Sequence, residues 1–166
     1  MTLYTETGSP LGTLQLTAED GALTGVHFPG QKHDCPRQPH WRRADDEPVL
    51  AAARTQLAEY FDGRRSDFDL PLAPRGTPFQ QAVWRALLAV PFGATSTYGA
   101  IAGAIGRPTA VRAVGAAVGA NPIGIVVPCH RIVGADGSLT GYAGGLDRKT
   151  KLLALEARAA QFVLGA

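Results

Sequence analysis

Nowhere in the 166 residues is there a long uncharged apolar run, which excludes a membrane-spanning helix. The opening MTLYTETGSPLG lacks a basic segment followed by an apolar one, so no secretory leader is expected. Internal repeats and low-complexity tracts are absent. The stretch GRPTAVRAVGAA lacks the spacing of a phosphate-binding loop, so no nucleotide site is expected. Cysteine is scarce: Cys35 and Cys129 stand far apart in contrasting contexts. One disulfide is the only pairing open to them, and free thiols in a reducing cytoplasm are the simpler expectation. His27, His33, Cys35 and His40 follow no standard ligand spacing, so neither a metal nor any other cofactor is expected.

What is present fits a globular protein, with 45% hydrophobic and 18% charged residues. The length suffices for one good core or two small ones packed together. The net charge of +2 hides an asymmetry. Residues 1–74 carry 7 Lys and Arg against 11 Asp and Glu, a net of −4. Residues 75–166 carry 9 against 3, a net of +6. Such a contrast fits a C-terminal part that faces a polyanion, and equally an ordinarily solvated surface.

The two halves also differ in texture, and the pattern predicts an α+β chain. Leu3–Thr5, Gly12–Thr17 and Leu23–Phe28 read as short strands, separated by hairpin-forming Gly8-Ser9-Pro10 and Glu19-Asp20-Gly21. Residues 29–46, with three prolines and many charges, read as an irregular loop. Leu50, Ala53, Leu57 and Phe61 have helical spacing over 47–61. Pro71, Pro74 and Pro78 mark a linker, which puts a domain boundary near residue 75. The expectation is therefore a small β-rich α/β domain over 1–74 and a mostly helical domain over 75–166.

In the second half Pro78 starts a helix whose Phe79, Val83, Leu87 and Val90 share a face until Pro91. Tyr98–Ile105 and Ala110–Ala120 are predicted as two short helices joined by the turn Gly106-Arg107-Pro108-Thr109, with Thr109 as cap. Two helices around a tight turn suit a helix-turn-helix, a weak signal by itself. Ile123–Val127 is a β-branched run suited to a buried strand that delivers Pro128-Cys129-His130-Arg131. A glycine-rich loop follows, and a helix over 147–160 closes the chain.

The strand's end sets a thiol beside ionisable groups. Thiolate is the reactive form, and a nearby base or positive charge lowers the cost of forming it. In an extended chain Cys129 and His130 would point to opposite faces, so proton transfer needs a turn or a bridging water. A bare Cys-His pair is more often a small core residue beside a histidine.

The surrounding string decides between those readings. Asn121-Pro122-Ile123-Gly124-Ile125-Val126-Val127-Pro128-Cys129-His130-Arg131-Ile132-Val133-Gly134 strongly resembles the signature of the O6-alkylguanine-DNA alkyltransferases. Tyr98–Ala102, Ala113–Ala117, Thr140–Leu146 and Lys151–Glu156 resemble that family's flanking blocks in order and spacing, over roughly 77–157. The first half fits the family's variable domain only loosely.

The resemblance implies a DNA-repair protein that moves an alkyl group from guanine O6 irreversibly onto itself, once per molecule. Cys129 is implied as the nucleophile, His130 as its base through a water, and Glu156 as the carboxylate that orients the histidine. Tyr98 is implied to hold the base and neutralise the leaving guanine, and Asn121 to brace the cysteine loop. Ile132, Tyr142, Ala143 and Gly144, with Tyr98, are implied to surround the guanine. Ala143 departs from relatives with serine there, leaving a backbone NH to serve the alkylated oxygen. Thr109, Arg112, Ala113, Gly115 and Ala116 are implied to meet double-stranded DNA, with Arg112 filling the gap left by the flipped base.

The implied placement is cytoplasmic, with no membrane partner, as a monomer that can assemble along DNA. The family also has lesion-binding relatives without the nucleophile, a reading that the presence of Cys129 disfavours. A sequence-reading transcription factor is disfavoured because the second helix offers only Arg112 and few other hydrogen-bonding side chains. A Cys-His hydrolase would need an oxyanion device, and none can be identified.

Overall fold

The computed structural model describes residues 1–164. The chain forms two compact units, one from Met1–Arg75 with Pro122–Val126, the other from Gly76–Asn121 with Val127 onward.

The first unit is a sheet with one helix on it. Its strands β1 (Leu3–Thr7), β2 (Leu14–Glu19), β3 (Ala22–His27) and β4 (Arg42–Arg43) lie in the order β3-β2-β1-β4. The β2–β3 hairpin turns on Asp20 and Gly21, both at positive φ, as a two-residue turn of matching twist requires. Helix α1 (Pro48–Phe61) starts with Pro48, and the Glu47 side chain accepts the Leu50 amide at 2.9 Å. Its Leu50, Ala53, Leu57 and Tyr60 are buried, as are Leu14, Leu16 and Leu23 of the sheet. The loop after β3 is less irregular than its prolines predict, because Arg42–Arg43 pairs with β1 in parallel. Buried Gln15 fastens that loop by donating to the Cys35 carbonyl at 2.9 Å.

The second unit is helical. Thr77 and Gln80 cap α2 (Pro78–Leu87) reciprocally, and the indole of Trp84 donates to the Ala117 carbonyl at 2.8 Å, tying α2 to the helix that carries Ala117. The helix ends at Leu87, so Val90 is buried beyond it rather than on its face. Thr97 ends the short strand β5 (Ser96–Thr97) and caps α3 (Tyr98–Ala104). Helix α4 (Val111–Gly119) buries Val114, Ala117 and Val118. Its N-cap is Ala110, without a side-chain bond, so Thr109 does not cap it. Arg107-Pro108-Thr109-Ala110 closes as its own turn, with the Ala110 amide on the Arg107 carbonyl, and Thr109 falls one residue too early. A 3₁₀ turn (Cys129–Arg131), strand β6 (Ile132–Val133) and helix α5 (Leu146–Leu164) complete the unit.

The expected strand over 123–127 does not form. Ile123 makes one isolated bridge to Val26, and then the Val126 amide turns back to the Gly124 carbonyl at 2.7 Å. Ile125 sits at φ 69°, a conformation that costs a β-branched residue about 1–3 kcal/mol. Ile123, Ile125, Val126 and Val127 are all buried, so the apolar run reports burial and not extension.

Candidate active site

The 3₁₀ turn does what an extended chain could not. It carries Cys129 and His130 inward together, with Cys129 7% exposed and His130 fully buried. The Cys129 amide closes on the Val127 carbonyl at 2.8 Å, and the Asn121 amide group donates to that same carbonyl at 2.9 Å. Asn121 also hydrogen-bonds to the thiol. Strand β6, directly after the turn, pairs in parallel with β5, directly before α3. That two-residue ladder sets Ser96 beside Ile132, the residue after the cysteine turn, and Thr97 beside Val133, so that α3 starts at Tyr98 where β6 ends.

His130 and Glu156 meet, with His130 Nε2 2.7 Å from Glu156 Oε2. A carboxylate only accepts, so Nε2 carries the proton and Nδ1 keeps its lone pair. Nδ1 is buried without a hydrogen-bond partner among the described residues. Burial holds the imidazole below its usual pKa; Glu156 counteracts this, while Arg131 and Lys149 add to it. The resting histidine is a neutral base.

Two participants were not singled out from sequence. Arg131 grips Glu156 through Nε at 2.8 Å and through its terminal nitrogen at 3.0 Å, and donates to the Val90 carbonyl at 2.7 Å. Lys149, fully buried, donates from Nζ to the Ile132 carbonyl at 2.5 Å and to the Thr140 carbonyl at 3.3 Å. Burial lowers its pKa, and the Cys129 charge opposes that shift. A helical wheel would have found it, since 149, 152 and 156 share the buried face of α5.

Burial pushes the Cys129 thiol up, against the lowering effects of the Asn121 bond and the Lys149 charge. The thiol is therefore the resting form, and reaction requires that its proton be taken. The Tyr142 phenol is raised well above its usual value by burial and by the nearby Cys129 charge, so it stays a hydrogen-bond donor. Tyr98 Oη lies 2.6 Å from Thr140 Oγ1. Ile132 and Gly144 are buried, Tyr142 and Ala143 partly so, and the Gly144 carbonyl accepts from Arg148 at 3.0 Å.

The residues expected at DNA lie apart from this cluster in burial. Thr109, Arg112, Ala113 and Ala116 are exposed and Gly115 is partly so, while the opposite face of α4 is core. Cys35 is exposed and belongs to the first unit. No group of three or more metal-ligating side chains occurs among the described residues, and no helix is long and apolar enough to cross a membrane.

Residues 78–158 match the 6-O-methylguanine DNA methyltransferase, DNA binding domain, and residues 2–74 match the ribonuclease-like domain of the same methyltransferases. The chain belongs to the O6-methylguanine-DNA methyltransferase family. A methylated-DNA–protein-cysteine methyltransferase of Mycolicibacterium paratuberculosis is 50% identical over 155 residues, 93% of this chain and 92% of that protein. One from Haemophilus influenzae is 46% identical, over 92% of this chain and 85% of its own length. The crystal structure of Mycobacterium tuberculosis OGT in complex with DNA has a TM-score of 0.85 at 47% identity, covering 95% of this chain and 94% of that one. Within the methyltransferase family, an α+β chain with a small sheet in one unit and helices in the other is the shared fold.

Proposed function

We propose that this protein repairs DNA by transferring the alkyl group of O6-alkylguanine, methyl above all, to Cys129 in a single irreversible turnover. The carrying observation is the buried thiol on one turn with a neutral histidine whose far nitrogen is held by Glu156. His130 Nδ1 takes the thiol proton through one water. The sulfur attacks the alkyl carbon in line, the C–O6 bond breaks, and its electron pair stays on guanine. Guanine takes up one proton, for which Tyr98 and Tyr142 are the phenols at hand, and the product is a thioether. A thioether has no ready route back to thiol, so the protein acts once. Asn121 braces the turn, and Ile132 with residues 142–144 encloses the base.

The guanine must leave the duplex to reach a buried thiol. Helices α3 and α4 serve as the helix-turn-helix, with the small exposed face of Ala113, Gly115 and Ala116 entering the minor groove beside Thr109, and Arg112 replacing the flipped base. A net of +6 over residues 75–166 supports sequence-independent, salt-sensitive binding to phosphate. The sequence halves 1–74 and 75–166 are read as the variable and the catalytic domain of a cytoplasmic protein that acts as a monomer.

Mass spectrometry of the protein after exposure to O6-methylguanine duplex tests this. One methyl per chain on Cys129, and none on Cys35, is expected. Cys129→Ser should bind the duplex and transfer nothing, since a hydroxyl is far less acidic and nucleophilic than a thiol. Sustained turnover, or label on Cys35 alone, rules the mechanism out.

A further inference from the structure

Strand β3 is an edge strand, and its outer edge is covered twice. The Leu23 amide donates to the Pro71 carbonyl and its carbonyl accepts from Ala73, both at 2.8 Å. The Val26 amide donates to the Pro122 carbonyl at 2.9 Å, and its carbonyl accepts from Gly124 at 3.1 Å. In a regular strand, residues three apart present their amides to opposite edges. Leu23 and Val26 share an edge because the β2–β3 register shifts between Thr17 and Ala18, which leaves Thr24 as an extra, bulged residue. The Thr24 hydroxyl donates to Thr17 Oγ1 at 2.9 Å. Gly25 is required beside it, since a Cβ there would lie 2.5 Å from Thr17 Oγ1 and 2.9 Å from His27 Cε1.

What this edge holds is the approach to the reactive cysteine. Pro122–Val126 belongs to the first unit although the second unit's Asn121 and Val127 flank it in sequence. Val26 fixes Pro122 and Gly124; the Asn121 side chain fixes the Val127 carbonyl, on which the Cys129 amide closes. Between the two anchors stands Ile125, buried, β-branched and left-handed at φ 69°. Such a conformation persists only where its surroundings over-determine it. Left free, it would relax to negative φ, rotating the peptides that lead to Val127 and so to Cys129.

We infer that Val26 on the bulged edge of β3 is a positioning residue for the alkyl transfer, its two backbone hydrogen bonds holding Ile125 left-handed so that the turn presents Cys129 to the base. This rests on the alkyl-transfer reading of Cys129. It also gives the sheet unit a task in the reaction, performed without any side chain touching substrate.

The test uses the full chain. Ile125→Gly and Ile125→Ala remove nearly the same side chain, but only glycine accepts positive φ freely. Single-turnover transfer from O6-methylguanine duplex should be about fivefold or more slower in I125A than in I125G, the reverse of what helix and strand preferences alone favour. Val26→Pro removes the outward amide without touching the β2–β3 ladder. It should slow transfer by roughly tenfold while duplex affinity stays within about twofold, and adding I125G should recover several-fold of the loss. Equal rates in I125A and I125G, or a V26P protein at the parental rate, overturn the inference; if V26P does not fold, the glycine–alanine pair decides alone. Carboxamidomethylation of Cys129 by iodoacetamide, with Cys35 as internal reference, should rank I125G above I125A in the same way without DNA. A parental protein that takes no methyl from the duplex would sink the functional reading, and this labelling would still decide the positioning.

Discussion

Glu156 serves two partners at once, and the division of its charge between them sets the chemistry of the site. Arg131 takes both oxygens, while His130 takes only Oε2. The carboxylate thus orients the imidazole without drawing it into the charged form, which suits a group that must accept a proton. Arg131→Met keeps the stem and removes the cation that lowers the His130 pKa. The histidine should then stay protonated to higher pH, so the acid limb of the single-turnover rate moves upward in pH. The same change leaves a buried carboxylate short of partners, and unfolding free energy should drop by about 3–5 kcal/mol in urea titration. An unmoved acid limb would show that Arg131 only packs. Glu156→Gln should slow transfer at neutral pH and partly recover in alkali, where thiolate forms unaided. His130→Ala should behave alike, and the double variant should be little worse than either single one. Losses that multiply would mean that the two residues do not act through one relay. Of this centre, the sequence string made Cys129, His130, Glu156 and Asn121 legible. Arg131 read only as a neighbouring cation, because a three-residue 3₁₀ turn that brings it back to Glu156 leaves no periodic trace.

Helix starts were legible at Pro78, where a proline marks one, and to within a residue at α1 and α3, where spacing alone set them. They failed where the backbone turned for tertiary reasons. Thr109 has the right side chain for a cap, yet the Arg107–Ala110 turn delays the helix by one residue. The run Ile123–Val127 has the composition of a strand, but an edge bond to Val26 and a left-handed Ile125 outweigh that preference. Two-residue β4 is set by its partner β1 and carries no pattern of its own. On α4 Val114, Ala117 and Val118 face inward and Arg112, Ala113 and Ala116 outward, but Val111, whose spacing puts it on the packing face, is exposed at the helix start. Because Arg112 is exposed, removing it should leave the fold unchanged and act only on DNA. Arg112→Ala should slow repair of alkylated duplex by about 10–100-fold, the equivalent of a few kcal/mol of unstacking, and hardly affect attack on free O6-alkylguanine. Comparing the two rates checks this; equal losses on both substrates would take the extruding role from Arg112.

Each compact unit contains one buried histidine, and together they make the molecule acid-sensitive well above the carboxylate range. His27 in the first unit is 5% exposed and His130 in the second is fully buried. Burial is the leading cause that lowers the pKa of each, only partly offset by Asp34 for His27 and by Glu156 for His130. Unfolded, each titrates near the ordinary histidine value of 6.5; folded, each stays neutral to lower pH. Below that value the unfolded chain binds more protons than the folded one, so stability is complete above pH 6.5 and is lost as pH falls towards the folded pKa values. The slope is at most about 1.4 kcal/mol per pH unit for each histidine. The carboxylates held low, Glu19, Asp45 and Asp136, shed their contribution below the ordinary values of 4.5 for glutamate and 3.8 for aspartate, outside this window. Urea unfolding at pH 7.5 and 5.5 should therefore show a loss of up to roughly 3 kcal/mol. His27→Gln, which keeps a polar side chain without an ionisable one, should flatten the dependence by about half if both units unfold together. If they unfold in two steps, only the step of the sheet unit should flatten, because His130 still titrates in the other. A pH dependence untouched by His27→Gln would place the acid sensitivity elsewhere and leave His27 a packed, silent residue.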